Sequence, residues 1–114
     1  MRQDIKAKWV AALRSGEYSQ TKGYLNVVES LDADTPPGYC CLGVLCDLAV
    51  KDGLEMEVRA SPKGSVILYE KKTSFPPAAV YEWAGTDDRI DVLAEMNDSG
   101  NSFTTIANYI EENL

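Results

Sequence analysis

The sequence predicts one α+β domain. A buried central helix at about residues 40–51 is flanked by N- and C-terminal helices and a small antiparallel sheet, which includes a hairpin at about 54–60/66–71. Three observations predict it. The chain from Cys40 to Lys51 is apolar except at Gly43, Asp47 and Lys51, which are spaced four apart and so share one narrow face of a helix. Leu54, Met56, Val58 and Ala60 alternate with Glu55, Glu57 and Arg59, the period of a half-buried strand. Both ends of the chain carry apolar residues at helical spacing. A length of 114 residues suits one domain that buries roughly 65% of its unfolded surface.

Taken in order, Ile5, Trp9, Ala12 and Leu13 give a first helix over about 3–15, with Gly16 placed to stop it. The polar stretch Glu17 to Gly23 leads into Tyr24 to Val28, strand-like by its aromatic and β-branched content. Asp32 to Gly38, with Pro36 and Pro37, reads as a loop. The central helix ends at Gly53, and the alternating strand turns at Ser61-Pro62-Lys63-Gly64 into Val66 to Lys71. Pro76 and Pro77 suit the first turn of a short helix that Gly85 ends. Ile90 to Met96 fits a helix through Ile90, Leu93 and Ala94, or a strand through Ile90, Val92 and Ala94, and the helix is favoured. Asn97-Asp98-Ser99-Gly100 reads as a turn, after which Ser102 caps a last helix with the stripe Phe103, Ile106, Ala107, Ile110 and Leu114.

The chain has no histidine, which removes the Ser-His-Asp triad, the Cys-His pair, the HExxH zinc site and the two-histidine zinc finger. Neither GxxxxGK[ST] nor GxGxxG is present, so phosphate loops of those kinds are excluded. On a helix Cys40, Cys41 and Cys46 would point about 0°, 100° and 240° around the axis, so they do not converge on one ion. They read as buried thiol-bearing packing residues, with only Cys40, at the helix start, near a dipole that lowers a thiol pKa. No metal and no cofactor are expected.

The net charge of −7 is unevenly spread. Residues 1–81 carry ten acids and ten bases, whereas residues 82–114 carry eight acids, Glu82, Asp87, Asp88, Asp91, Glu95, Asp98, Glu111 and Glu112, against Arg89 alone. Such a field repels a phosphate backbone and offers no basic stripe, so direct DNA or RNA binding is not expected. The run Leu93 to Ala107 is similar to the opening of a helix-turn-helix, but Glu111 and Glu112 stand where phosphate contacts need Lys or Arg. No stretch approaches the ~20 apolar residues of a membrane span. An odd number of cysteines and an N-terminus without an apolar run point to a reducing cytoplasm.

The blocks Lys8-Trp9-Val10-Ala11-Ala12-Leu13-Arg14-Ser15-Gly16-Glu17-Tyr18-Ser19-Gln20, Tyr39-Cys40-Cys41-Leu42-Gly43-Val44-Leu45-Cys46-Asp47-Leu48-Ala49 and Met96-Asn97-Asp98-Ser99-Gly100, with Phe103, Ile106, Ala107 and Ile110, carry a likeness. Through them the chain resembles a widespread family of small uncharacterised phage and prophage proteins. The resemblance implies a phage accessory protein acting in a bacterial host cytoplasm, and small phage proteins of this kind often blunt host defence. It implies no catalytic residue.

Three functional expectations follow. The leading one is a non-enzymatic binding protein, oligomeric, that sequesters a nucleotide-derived signal: Tyr18 and Tyr24 stack the base while Arg14 and Lys22 contact phosphate. The second is an acidic inhibitor of a host protein that mimics nucleic acid, with Asp87, Asp88 and Asp91 carrying the contact. The third, less favoured, is a nucleotide hydrolase using the acidic cluster with a divalent metal.

Overall fold

The computed structural model describes residues 1–28 and 36–114. The described residues form five α-helices, one 3-10 turn and two small sheets, and the predicted central helix is the second of the five. Helix α1 spans Gln3–Arg14 and buries Ile5, Trp9, Val10 and Leu13. It starts where predicted and ends one residue earlier, with Ser15 as C-cap. Strands β1 (Ser19–Gln20), β2 (Asn26–Val27) and β3 (Gly38–Tyr39) form one sheet in the order β1-β3-β2. The β1–β3 pair is parallel and the β2–β3 pair antiparallel, so this sheet is mixed where an antiparallel one was expected. Gly38, assigned to a loop by the sequence, is therefore a strand residue, while residues 32–35 of that predicted loop lie outside the described residues.

Helix α2 (Cys41–Lys51) is the predicted core helix, with Cys40 as its N-cap. Cys41 through Cys46 and Ala49 are all buried. A helix apolar on nearly every side must be covered on nearly every side. Here α1 packs along one flank, β3 meets its N-terminal end, and α3 (Ala78–Ala84) and α4 (Val92–Asp98) cover the rest. Helix α5 (Phe103–Asn113) lies along α1 and buries Phe103, Ile106, Ala107 and Ile110. Ser102 caps it as expected, its hydroxyl accepting from Thr105 N at 3.2 Å.

The hairpin exists but is shorter than predicted: β4 (Val58–Ala60) pairs antiparallel with β5 (Ile67–Tyr69). Every residue of β4 is exposed, so the alternation of Leu54 to Ala60 does not mark a half-buried strand. Leu54 and Met56 do pack on the core, but ahead of the ladder rather than within it. At the other end Glu70 and Lys71 turn to positive φ, which stops β5 at Tyr69. Pro77 is the N-cap of α3 rather than part of its first turn, and Gly85 ends that helix in the left-handed conformation, as expected. The ambiguous segment is helical: a 3-10 turn at Asp88–Asp91 runs directly into α4. Asn97, predicted in a turn, is in the last turn of α4 and is fully buried.

Two contacts fix how α2 sits. Trp9 Nε1 donates to the Cys41 carbonyl at 2.9 Å, which satisfies a buried indole N–H and ties α1 to the start of α2. Gly43 faces the backbone of Leu25 so closely that a Cβ there would lie 1.6 Å from the Leu25 carbonyl oxygen. Only a residue without a side chain lets the chain before β2 cross α2 at that distance. Gly43→Ala is therefore expected to separate β2 from α2 and lower stability by about 3 kcal/mol or more, read as a fall in the urea midpoint. A midpoint within about 1 kcal/mol of the parent would refute this account of the glycine.

Candidate functional site

The four residues expected to hold a nucleotide lie in different places. Arg14, at the end of α1, donates through Nη1 to Glu111 (3.0 Å) and through Nη2 to Asn108 (2.7 Å), spanning to α5 rather than closing the carbonyls of its own helix. It lines a groove with Lys6, Val10 and Glu111. Tyr18 belongs to another cleft, with Pro36, Pro37, Tyr39, Asp47 and Lys51. Its hydroxyl donates to Asp47 Oδ2 at 2.5 Å and accepts from Lys51 Nζ at 3.1 Å, and its ring meets Tyr39 edge to face at 5.0 Å. Lys22 lines a third concavity with Gln20, Asn97, Gly100 and Asn101. Tyr24 stands 44% exposed. Thus Arg14, Tyr18 and Lys22 line separate clefts.

The Met96–Gly100 block turns out to be a clamp. Asn97 Oδ1 accepts from Gln20 Nε2 (2.9 Å) and from Cys41 N (3.3 Å), while Nδ2 donates to the Thr21 carbonyl (2.7 Å) and to Asp98 Oδ1 (3.3 Å). Asp98 Oδ1 also accepts from Gly23 N at 2.9 Å. One buried amide and its neighbour thereby hold the β1–β2 connection against α2 and α4. The cysteines are packed and free, as predicted. Burial raises all three thiol pKa values, and for Cys40 it outweighs the lowering by the backbone N–H groups of Gly43 and Leu42 at the helix start.

The acidic region divides as well. Asp87 caps the 3-10 turn, Oδ1 accepting from Arg89 N (3.0 Å) and Nε (3.1 Å), and these bonds with Arg89 lower its pKa. Asp91 Oδ1 accepts from the Tyr81 hydroxyl at 2.5 Å; burial raises the carboxyl pKa, and the Asp88 charge adds to that, against the Tyr81 bond. Asp91 alone of the predicted acidic trio lines a cleft of about 760 Å³, where it joins Phe75, Val92, Ala94, Glu95, Asp98 and Ser99. Phe75 and Val92 are each 46% exposed. Among the described residues, three carboxylates and no basic side chain line this cleft. Asp91, Glu95 and Asp98 fall at i, i+4 and i+7, so a sequence committed to a helix there already places them on one face. Phe75 has no such signal, since it comes from the irregular segment before α3. Among the described residues no three His, Cys, Asp or Glu side chains are grouped to hold a metal ion, and no helix is long and apolar enough to cross a membrane.

A family model described as a domain of unknown function, DUF8296, matches residues 1–114, and the chain belongs to that family. No curated protein and no solved structure matches it.

Two expectations follow from these contacts. Asn97→Asp keeps the size but cannot donate to the Thr21 carbonyl and buries a charge; it should cost about 3 kcal/mol, measured by chemical denaturation, and a neutral effect would refute the clamp. Desolvation raises the Tyr18, Tyr39, Tyr69 and Tyr81 pKa values above 10.0. A raised folded pKa favours the protonated fold, so this stabilisation is complete below pH 10.0 and is lost as pH rises through the folded values. An absorbance titration of phenolate should show these rings ionising together with loss of near-UV circular dichroism, and ionisation near pH 10.0 with the fold intact would contradict it.

Proposed function

We propose that this member of the DUF8296 family is a binding domain that attaches through its acidic C-terminal third to a cationic protein surface and leaves its partner chemically unchanged. The observation that carries the reading is the cleft beside α4, where three carboxylates and two exposed apolar side chains share one concavity with no cation among the described residues of its lining. A field of this sign attracts basic partners and speeds their encounter, while it repels phosphate. In the setting implied by the likeness to phage proteins, the partner is a host factor in the bacterial cytoplasm, and the attachment blunts host defence by standing in for nucleic acid. Sequestration of a nucleotide-derived signal is the second reading. What favours it is Lys22, a basic side chain that lines one concavity with Gln20, Asn97 and Asn101.

Calorimetry separates the two. Poly-L-lysine should give saturable binding that weakens as salt rises from about 50 to 300 mM, and cyclic dinucleotides and ADP-ribose derivatives should give no heat. Asp91→Asn combined with Glu95→Gln should weaken the polycation about tenfold, whereas Glu55→Gln combined with Glu82→Gln should leave it within about twofold. Heat from a nucleotide, or equal losses in both double variants, would overturn the reading.

A further inference from the structure

We infer that the cleft between Phe75 and α4 takes one arginine-bearing amphipathic helix of a protein partner, with an aliphatic side chain against Phe75 and Val92 and guanidinium groups on Glu95 and Asp98. The inference rests on the preceding reading that this face binds protein, and adds the chemistry of the occupant. From Asp91, the N-cap of α4, to Glu95 and Asp98 within it, the carboxylates fall at i, i+4 and i+7, a rise of about 10 Å. A second helix laid beside α4 repeats its own side chains at the same interval, so cations three or four residues apart meet successive carboxylates. A cleft of about 760 Å³ is large enough for several side chains.

Arginine fits better than lysine for two reasons. A guanidinium forks onto a carboxylate with two parallel bonds and also stacks on an aromatic ring, and Phe75 places such a ring, 46% exposed, in the same lining as Glu95 and Asp98. An ammonium uses the charge but gains less from the ring face. The lining itself is also prepared. Tyr81 occupies Oδ1 of Asp91 and Gly23 N–H donates to Oδ1 of Asp98, so two of the three carboxylates are anchored before a partner arrives. Val92 is exposed on the same helix that buries Leu93 and Asn97, which leaves an apolar anchor point on a rigid element.

The test uses the full chain and four synthetic helical peptides of equal length: Leu with Arg at i, i+4 and i+7, the Lys counterpart, the Arg peptide with Leu replaced by Ser, and a Glu counterpart. Binding is measured by calorimetry, and the site by amide shifts in two-dimensional NMR. The Leu/Arg peptide should bind tightest, the Lys and Ser peptides about fivefold more weakly or worse, and the Glu peptide not at all. Shifts should concentrate at Val92 to Ser99 and at Phe75. Phe75→Ala and Val92→Ser alter exposed side chains, so they should fold, and each should weaken the Leu/Arg peptide about threefold to fivefold. Equal affinity of the Ser peptide, or shifts centred on another face such as the Lys6–Arg14 groove, would overturn the inference and leave the cationic-partner reading standing. Absence of binding by every peptide while poly-L-lysine still binds has the same meaning. Failure of poly-L-lysine as well would sink both. Concentration-dependent shifts in the chain alone would assign the cleft to a second copy instead.

Discussion

The side-chain amide of Asn97 is the contact on which the arrangement around α2 depends. Oδ1 and Nδ2 each make two bonds, so the full capacity of a buried amide is used. The need for it comes from α2 itself. That helix carries no acidic residue in its first turn and is buried there, so its opening N–H groups cannot turn to water. Asn97 Oδ1 takes Cys41 N, and Cys40 Sγ accepts from Gly43 N at 3.4 Å. A neutral amide suits this place because a carboxylate would bury a charge and a hydroxyl could not reach four partners. The same amide holds Thr21 and Gln20, so the β1–β2 connection is positioned by the group that completes the helix start.

Gly43 is the steric counterpart of that polar clamp. With the start of α2 held by Asn97 and Trp9, the chain at Leu25 crosses the helix at a distance that admits no Cβ. Leu25, Leu42 and Leu45 are fully buried there, beside a mixed sheet whose strands are two residues long. Sequence blocks that look like a family signature thus have ordinary physical explanations. Trp9, Cys41, Gly43 and Asn97 meet at one junction.

The helices were legible because their signals are local. Periodic apolar residues, Ser102 as a cap and Gly85 as a left-handed stop each act within one or two turns. What the sequence hid was set by distant partners. Ser19–Gln20 is a strand only because Gly38–Tyr39 runs beside it, and nothing in two polar residues announces that. The alternation at Leu54 to Ala60 was real, yet Leu54 and Met56 reach the core ahead of the ladder and the β4 residues that follow are exposed. Asn97 looked like turn chemistry since Asn, Asp, Ser and Gly follow one another, and only the three-dimensional position of Cys41 and Thr21 converts it into core. For the site, the acidic excess was visible as composition, but Phe75 enters from sixteen residues upstream of Asp91 and shares no pattern with it. Arg14, Tyr18 and Lys22 are close in sequence and part company because α1 ends between them, so each is drawn to a different neighbour.

Helix α4 joins the two halves of the account. Its inward face carries Leu93 and Asn97, which anchor it to the core, its outward face carries Glu95 and Asp98, and the half-buried Asp91 precedes it as N-cap. Like charges at i, i+4 and i, i+3 repel by about 0.2–0.5 kcal/mol per pair, and a seven-residue helix has little intrinsic stability with which to offset them. The repulsion is tolerated because Asn97 fixes the last turn, Asp87 caps the 3-10 turn that precedes it, and Tyr81 draws in Asp91. Burial raises the Asp91 carboxyl pKa, and the charge of Asp88 in the preceding turn adds to that. A helix held this firmly, with its unfavourable face outward beside an exposed phenyl ring, presents charge that is already oriented. On the proposed reading, a cationic partner gains twice, from its own attraction and from relief of the repulsion that the rest of the fold holds in place.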